Sequence, residues 1–391
     1  MTHRSVVVRA RSLLLEKRSR MREKRMSRTG KKVGITLGGI LVCLLLVGGV
    51  LYATGTLQSW RDDRELSGAC EGSLAAQQVR DALGSDDVGA RDTSADGPGV
   101  LASCRAEVTG GGSGLSIQVY RGSRSEGAMA YLDRRGLASY SPPVSPLGTW
   151  PGVLLNDPGM PRASLWLRCH GKEDKSLLVT ARLEGLGGKA WSGDRRRDFA
   201  AAVTATSKKA ADAFGCADPD GGSLTGLADN PRDRPVPISK ATGTCAALRP
   251  HSRAAARAGL DHVWTTRSGG SAPVEDCVLT TSDDPQVPGY WISAYYGPYA
   301  ESFATEVAAS RVQGERGQEK DAHLTWATAE CPGTDQRALY VLRGIIADTG
   351  TTTRPGEVPV RHDSAALRAD LLTAFARQSS ERHHCGDLKA P

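Results

Sequence analysis

Two places in the 391-residue sequence set an acid beside an imidazole, Asp261-His262 and Arg361-His362-Asp363. A carboxylate that holds a histidine in one tautomer turns it into a general base for a nucleophile or a water. No second element of such a site can be read beside either pair. The sequence has no GxSxG elbow, no HExxH, no Walker loop and no calcium loop with its acids in place. GGGSG at 110–114 reads as a turn between strands, since no helix follows to complete a phosphate cradle. GLGGK at 185–189 lacks both P-loop spacing and the Ser or Thr after its lysine. No catalytic residue, cofactor or metal ligand is therefore assigned, and the chain is read as a non-enzyme.

Cysteine is the other residue whose spacing carries chemistry. Eight of the nine cysteines lie beyond residue 55: Cys70, Cys104, Cys169, Cys216, Cys245, Cys277, Cys331 and Cys385. Zinc ligands come in close pairs, and none of these forms a CxxC. Cys169-His170 and His383-His384-Cys385 are the nearest approaches to a metal motif, each better read as a solvated histidine beside a structural cysteine. An even, well-spread set in an exported region points to disulfides.

Aromatic residues cluster once, at Tyr290, Trp291, Tyr295, Tyr296 and Tyr299. On an extended strand Trp291 and Tyr295 share one face, while Tyr290, Ile292 and Tyr296 share the other. The cluster is the best candidate for a contact surface with a sugar or a protein. The competing reading places one face in the core and makes Tyr296-Gly297-Pro298-Tyr299 a turn.

The elements that hold these residues repeat. CHGKEDKSLLV from Cys169 aligns without a gap with CPGTDQRALYV from Cys331, and IQVYRG from Ile117 with ISAYYG from Ile292. Each half ends in a helical segment running into its last cysteine. Phe199, Val203, Thr206, Ala210 and Phe214 recur at helical spacing before Cys216, as do Leu367, Leu371 and Phe375 before Cys385. We read a tandem duplication, with module 1 at 68–216 and module 2 at 245–391, joined by a Pro- and Gly-rich linker at 217–244.

Within each module the expected order is helix, cysteine strand, strand, short helix, hairpin and closing helix. The opening helix after Cys70 puts Val79, Ala82 and Leu83 on one face and stops at Gly84, whereas Pro250 breaks the first turns of its counterpart. The strands carry Cys104 or Cys277, then Ile117 or Ile292, and short helices are expected near 125–136 and 300–311. Residues 140–161 (SPPVSPLGTWPG within them) read as a long loop. Alternating apolar residues suggest sheets with one covered face, and the class is α+β with mainly antiparallel sheets. Four cysteines per module allow three pairings, and sequence does not choose among them. We favour Cys70–Cys104 with Cys169–Cys216, and Cys245–Cys277 with Cys331–Cys385, each bond tying a helix to the sheet it covers. The competing map joins Cys70 to Cys216 and Cys104 to Cys169.

Everything so far follows an apolar stretch. Val33 to Gly55 holds 23 residues without a charge. As a helix it would span about 34 Å, enough for a bilayer core of about 30 Å. The flanking tail 1–32 carries twelve bases and two acids, a net +10, against +7 for the whole chain, so residues 33–391 carry −3. The alkaline balance therefore belongs to the tail. By the positive-inside rule the tail is cytoplasmic, 33–55 is an uncleaved single-pass anchor, 56–67 a polar linker, and the rest extracytoplasmic at the cell membrane. The tail's expected partner is anionic lipid headgroups. Nucleic acid is not expected, since no aromatic residue is interleaved with the charges.

The pattern Cys70…Leu83-Gly84…Cys104 resembles modules of actinobacterial cell-envelope proteins of unknown function, many of them lipoproteins. This chain differs in using a transmembrane anchor and in doubling the module. The resemblance implies location and fold, and no activity. Three function classes follow. The first is binding or scaffolding modules outside the membrane, with an envelope protein or glycan as partner. The second is an envelope hydrolase with an unrecognised site, and the third a membrane signalling protein resembling anti-sigma regulators. The 32-residue tail is too short to supply the folded cytoplasmic domain of the third.

Overall fold

Each cysteine-bearing strand pairs with the strand that follows it, and the pairing grows into two antiparallel sheets. The computed structural model describes residues 64–94, 97, 99–122, 132, 143–157, 159–169, 176–186, 191–216, 221–227, 234–308, 311–319, 323–332, 337–344 and 360–391. The tail 1–32, the apolar stretch 33–55 and nearly all of the short helix expected near 125–136 lie outside the described residues. Among the described residues no helix is long and apolar enough to cross a membrane.

The first sheet contains β1 (Val88–Asp92), β2 (Val100–Val108), β3 (Gly114–Arg121), β4 (Val144–Pro146), β5 (Gly152–Leu155), β6 (Arg162–Leu167) and β7 (Leu177–Glu184). Their order across the sheet is β1-β2-β3-β7-β6-β5-β4. The second contains β8 (Val236–Pro237), β9 (Leu260–Thr265), β10 (Val274–Thr281), β11 (Pro288–Tyr295), β12 (Arg316–Glu319), β13 (Leu324–Glu330), β14 (Ala338–Gly344) and β15 (Gly386–Lys389). Its order is β12-β13-β14-β11-β10-β9-β8, with β15 also on β13. The path β1-β2-β3-β7-β6 in one sheet is thus matched by β9-β10-β11-β14-β13 in the other. Register agrees as well, with Cys104 opposite Ile117 and Cys277 opposite Ile292.

Helices cover one face of each sheet. In the first, α1 (Ala76–Leu83) buries Val79, Ala82 and Leu83 and ends where Gly84 takes a left-handed φ of 66°. The long α2 (Gly193–Ala213) starts at Ser192, whose side chain accepts the Arg195 N–H. In the second, Gly243–His251 is a 3-10 segment that ends just after Pro250, and only then does α3 (Ser252–Arg257) form. Pro298 opens α4 (Pro298–Ser302), which runs into a π-helical turn at Phe303–Val307. The closing α5 (Ala365–Arg382) is capped by Ser364, which accepts from Leu367 N–H.

Part of each opposite face is covered too, which corrects the expectation of one covered face. Residues 62–391 form one unit, and the two sheets meet through a shared apolar cluster. It includes Tyr120, Val153 and Leu178 from the first sheet with Tyr295, Phe303 and Trp326 from the second part of the chain. Each such side chain, fully buried, contributes about 1.5–3 kcal/mol. The result is helices, sheet, sheet, helix, with the helix-side cores separate from the shared one.

Four disulfides are formed: Cys70–Cys104, Cys169–Cys216, Cys245–Cys277 and Cys331–Cys385. The first of each pair ties the opening segment to the cysteine strand. The second ties the hairpin to the end of the closing helix.

Several sequence readings need correction. Residues 140–161 are not simply a loop, because β4 and β5 extend the first sheet and carry Val144, Val153 and Leu155 into the shared core. Residues 64–67 of the expected linker 56–67 are helical, and Leu66 is buried. In the linker 217–244, Val236–Pro237 pairs with β9 and Ile238 is buried. The ungapped alignment of the cysteine hairpins fails by one residue. Leu167 pairs with Leu177, ten residues on, but Ala329 pairs with Ala338, nine on. Val179 therefore corresponds to Tyr340, both facing the helices, and not to Val341, which faces the other sheet. A one-residue slip exchanges the two faces of a strand.

Candidate functional site

The five aromatic residues expected to form a contact surface are interior, each at most 5 % exposed. The strand reading of their faces holds, but tertiary packing covers both. Tyr290 and Tyr296 turn to the helix side. Tyr295 stacks on Phe303 with ring centroids 4.7 Å apart, and Tyr299 meets Ser164 of the first sheet in a hydroxyl–hydroxyl bond. Trp291 packs with Trp264 and Val278. Burial pushes the Tyr299 hydroxyl well above its ordinary range.

The acid–imidazole pairs fare differently. His262 Nδ1 lies 2.6 Å from Asp261 Oδ1, half-exposed on β9. It stands directly across from Thr280, yet Thr280 is fully buried and its hydroxyl has no hydrogen-bond partner. His362 is exposed, and the partner of Asp363 is another histidine. Asp363 Oδ2 lies 2.8 Å from His323 Nδ1. Tyr290 donates its hydroxyl proton to Asp363, and Arg368 pairs with the same carboxylate. Burial pushes the Asp363 carboxyl up, but the bonds from Tyr290, His323 and Arg368 outweigh it and hold the group below its ordinary value. Burial and the adjacent carboxylate raise Tyr290. An ionised carboxylate only accepts, so Nδ1 of His323 carries the proton of this bond, and the neutral tautomer that it selects is the one with Nε2 as acceptor. With a quarter of its side chain exposed, His323 has the geometry of a general base. Its backbone is left-handed, φ 46°, uncommon for a non-glycine residue. Sequence reasoning missed this pair because 40 residues separate its members and no local pattern marks His323.

A second buried cluster surrounds Glu275, whose side chain is 1 % exposed. It accepts from Ser379 Oγ at 2.6 Å and from Arg382 Nη2 at 2.6 Å, with His383 Nε2 at 3.5 Å. Burial raises this carboxyl, but His383 and Arg382 pull it below its ordinary value. Tyr296 stacks on the His383 ring at 3.8 Å. The arrangement clamps β10 to the end of α5 and leaves no reactive atom facing solvent. Cys385 beside it is in a disulfide, and among the described residues no group of three His, Cys, Asp or Glu could hold a metal ion.

An accessible polar surface lies on the first sheet. Arg91 Nη1 pairs with Glu107 at 2.8 Å, Arg105 reaches both Glu107 and Glu184, and Arg182 also pairs with Glu184. Arg105 and Arg91 hold the Glu107 carboxyl below its ordinary value, and the two glutamates raise Arg105 further. A cleft of about 460 Å³ opens here, lined by Arg91, Arg105, Glu107 and the β2–β3 turn at Gly110, Gly111 and Gly112. That turn is the GGGSG segment, and positive φ at all three glycines explains the residue choice.

No protein-family model, no curated protein and no solved structure matches this chain.

Proposed function

We propose that this chain is a single-pass, membrane-anchored protein of the cell envelope whose tandem, duplicated modules bind or scaffold a component outside the membrane. The observation that carries the reading is the set of four disulfides spread over both sheets, which persist in an oxidising compartment and not in the cytosol. The uncharged stretch 33–55 behind a +10 tail supports an anchor with the tail inside. The matching strand paths support duplication as the origin of the two modules. Two buried polar clusters spend their charges on each other, which favours a rigid presenting surface over a catalytic pocket.

Protease protection on intact cells expressing the full chain tests the topology. We expect residues 56–391 to be digested and the tail to be protected; an accessible tail with a protected remainder rejects the reading. Replacing the tail's bases by Gln should weaken or invert orientation without altering the disulfides of correctly exported molecules.

The His323–Asp363 pair favours a second reading, an envelope hydrolase that activates water. Turnover of an ester or cell-wall substrate panel by the full chain, abolished by His323→Ala while the disulfides stay intact, would place this reading first.

A further inference from the structure

β1 ends the first sheet, and one side of its backbone is unused. Thr109 N–H donates to the Asp87 carbonyl, and Thr93 N–H to the Ser103 carbonyl. Alternation along an antiparallel ladder then turns the backbone groups of Gly89 and Arg91 toward β2 and those of Val88, Ala90 and Asp92 away from it. Among the described residues nothing bonds to the outward N–H and C=O of Ala90. Such a row is a template for another strand, and proteins blunt it with proline, lysine or a bulge. Pro146 does this on β4, Pro237 on β8 and Lys389 on β15. β1 reads VGARD, pairs with β2 without a break in register, and has none of these devices.

Nothing within the chain requires Gly89. Its φ is not left-handed, and a Cβ built on it meets nothing within 4 Å. Glycine inside a strand costs stability, and where neither a bend nor crowding calls for it, it marks the close approach of another backbone. The cleft of about 460 Å³ opens beside it, with Gly89, Ala90, Glu65 and Glu107 in its wall. Arg91, its side chain 64 % exposed, stands two residues on and shares the face of Gly89.

We propose that β1 pairs antiparallel with β1 of a second copy of this chain, about a two-fold axis at Ala90. The outward groups fix the register: Ala90 faces Ala90 and Val88 faces Asp92 as bonded pairs, with about six main-chain hydrogen bonds in all. The close, non-bonded pair between them sets Arg91 of each copy opposite Gly89 of the other. Glu107 lies directly across from Gly89 on β2, and Glu65 lines the same cleft. The guanidinium of one copy thus passes over the missing side chain to a glutamate of the other, twice by symmetry. Sliding one strand by two residues sets Arg91 against Arg91, like charges directly opposite, or Gly89 against Gly89, with nothing for the charge to meet. The edge is therefore complementary to itself, and in one register. Five residues a side is far less than a standard interface, so the pairing serves copies already held close together, as the membrane anchor proposed above would hold them. The register does not depend on that reading.

The test uses the full chain in neutral detergent, with Cys43→Ser to remove the ninth cysteine. Bonded antiparallel pairs bring Cα atoms to about 5.5 Å, inside the range of about 4.4–6.8 Å for a disulfide. Ala90→Cys should therefore give a covalent dimer on mild oxidation, whereas Arg121→Cys, exposed at the end of β3, should not. Ala90→Pro deletes only an outward N–H, and Gly89→Val fills the gap opposite Arg91. Sedimentation should show each weakening the dimer about tenfold or more, since each loss counts twice by symmetry. Gly89→Val should also raise the urea midpoint of the monomer, a gain that misfolding cannot produce. A chain monomeric at every concentration, an Ala90→Cys protein that cross-links no better than Arg121→Cys, or a dimer that both edge variants leave within twofold overturns the proposal. The last result would assign the association to residues 33–55. An inverted topology in cells together with the Ala90 cross-link would reject the envelope reading and leave the strand pairing standing.

Discussion

The backbone N–H of Val144 donates to Asp276 Oδ2 at 2.8 Å, joining the first sheet's outermost strand to a fully buried carboxylate of the second. Trp291 Nε1 and Ser293 Oγ donate to the other oxygen of Asp276. Three donors from both halves of the molecule therefore converge on one acid. Pairing of β4 with β5 is what holds Val144 there.

Asp276→Ala would leave three buried donors without an acceptor. A buried donor that loses its partner costs about 1–3 kcal/mol, so we expect a loss of roughly 3 kcal/mol or more. Because the carboxylate bridges the sheets, the wild-type chain should unfold in one transition and the variant in two. Calorimetry of both proteins checks this, and two separate transitions already in the wild type would contradict it.

Gly297 supports the same junction by steric means. Its φ is 54°, and a Cβ there would sit 2.3 Å from the Trp166 ring of the first sheet. Gly297→Ala should cost about 2–4 kcal/mol through overpacking and a left-handed alanine. Trp166→Leu in the same background should recover part of the loss. Urea denaturation of the single and double variants measures the coupling.

The disulfides should differ in reactivity. Cys70, Cys104, Cys245 and Cys277 are at most 1 % exposed, whereas Cys169, Cys331 and Cys385 are half-buried. Thiolate attack needs access to sulfur, so limited reductant should open Cys169–Cys216 and Cys331–Cys385 first. Alkylation and peptide mapping over time would show the order. Loss of either buried bond by paired Ser substitution should cost about 2–5 kcal/mol.

Acid should destabilise the second sheet through Glu275. Its folded value lies below the ordinary 4.5 because the pull of His383 and Arg382 exceeds the push of burial. A carboxyl depressed on folding contributes stability above its unfolded value and loses it as pH falls through the folded value. The contribution is therefore complete at neutral pH, begins to fall near pH 4.5 and is lost as pH drops through the lower folded value. Glu275→Gln should lower stability at pH 7 and flatten its decline in acid, read from denaturation midpoints between pH 3 and 7. An unchanged slope would show that other carboxyls, Asp363 first among them, govern acid unfolding.

Much of the local architecture was legible because it rests on short-range rules. Val79, Ala82 and Leu83 share a face through helical geometry, Gly84 ends the helix through its tolerance of positive φ, and Pro250 spoils the counterpart through its missing N–H. Strand alternation separated Trp291 and Tyr295 from Tyr290 and Tyr296. What alternation could not say is what covers each face. The inner sheet face is apolar whether a second sheet or solvent-side ligand meets it, so a buried junction was read as a contact surface. The His323–Asp363 and Arg105–Glu184 pairs were illegible for the same reason. Their members are local strangers, and only pairing register, set by turns and hairpin lengths far from them, makes them neighbours. The sequence by itself determined the elements, the cysteine framework and the charge division along the chain, since these depend on side chains within a few residues of each other. Tertiary structure alone decided which cysteines bond, which aromatics are interior and which charges meet, because those depend on contacts that chain connectivity permits but does not specify.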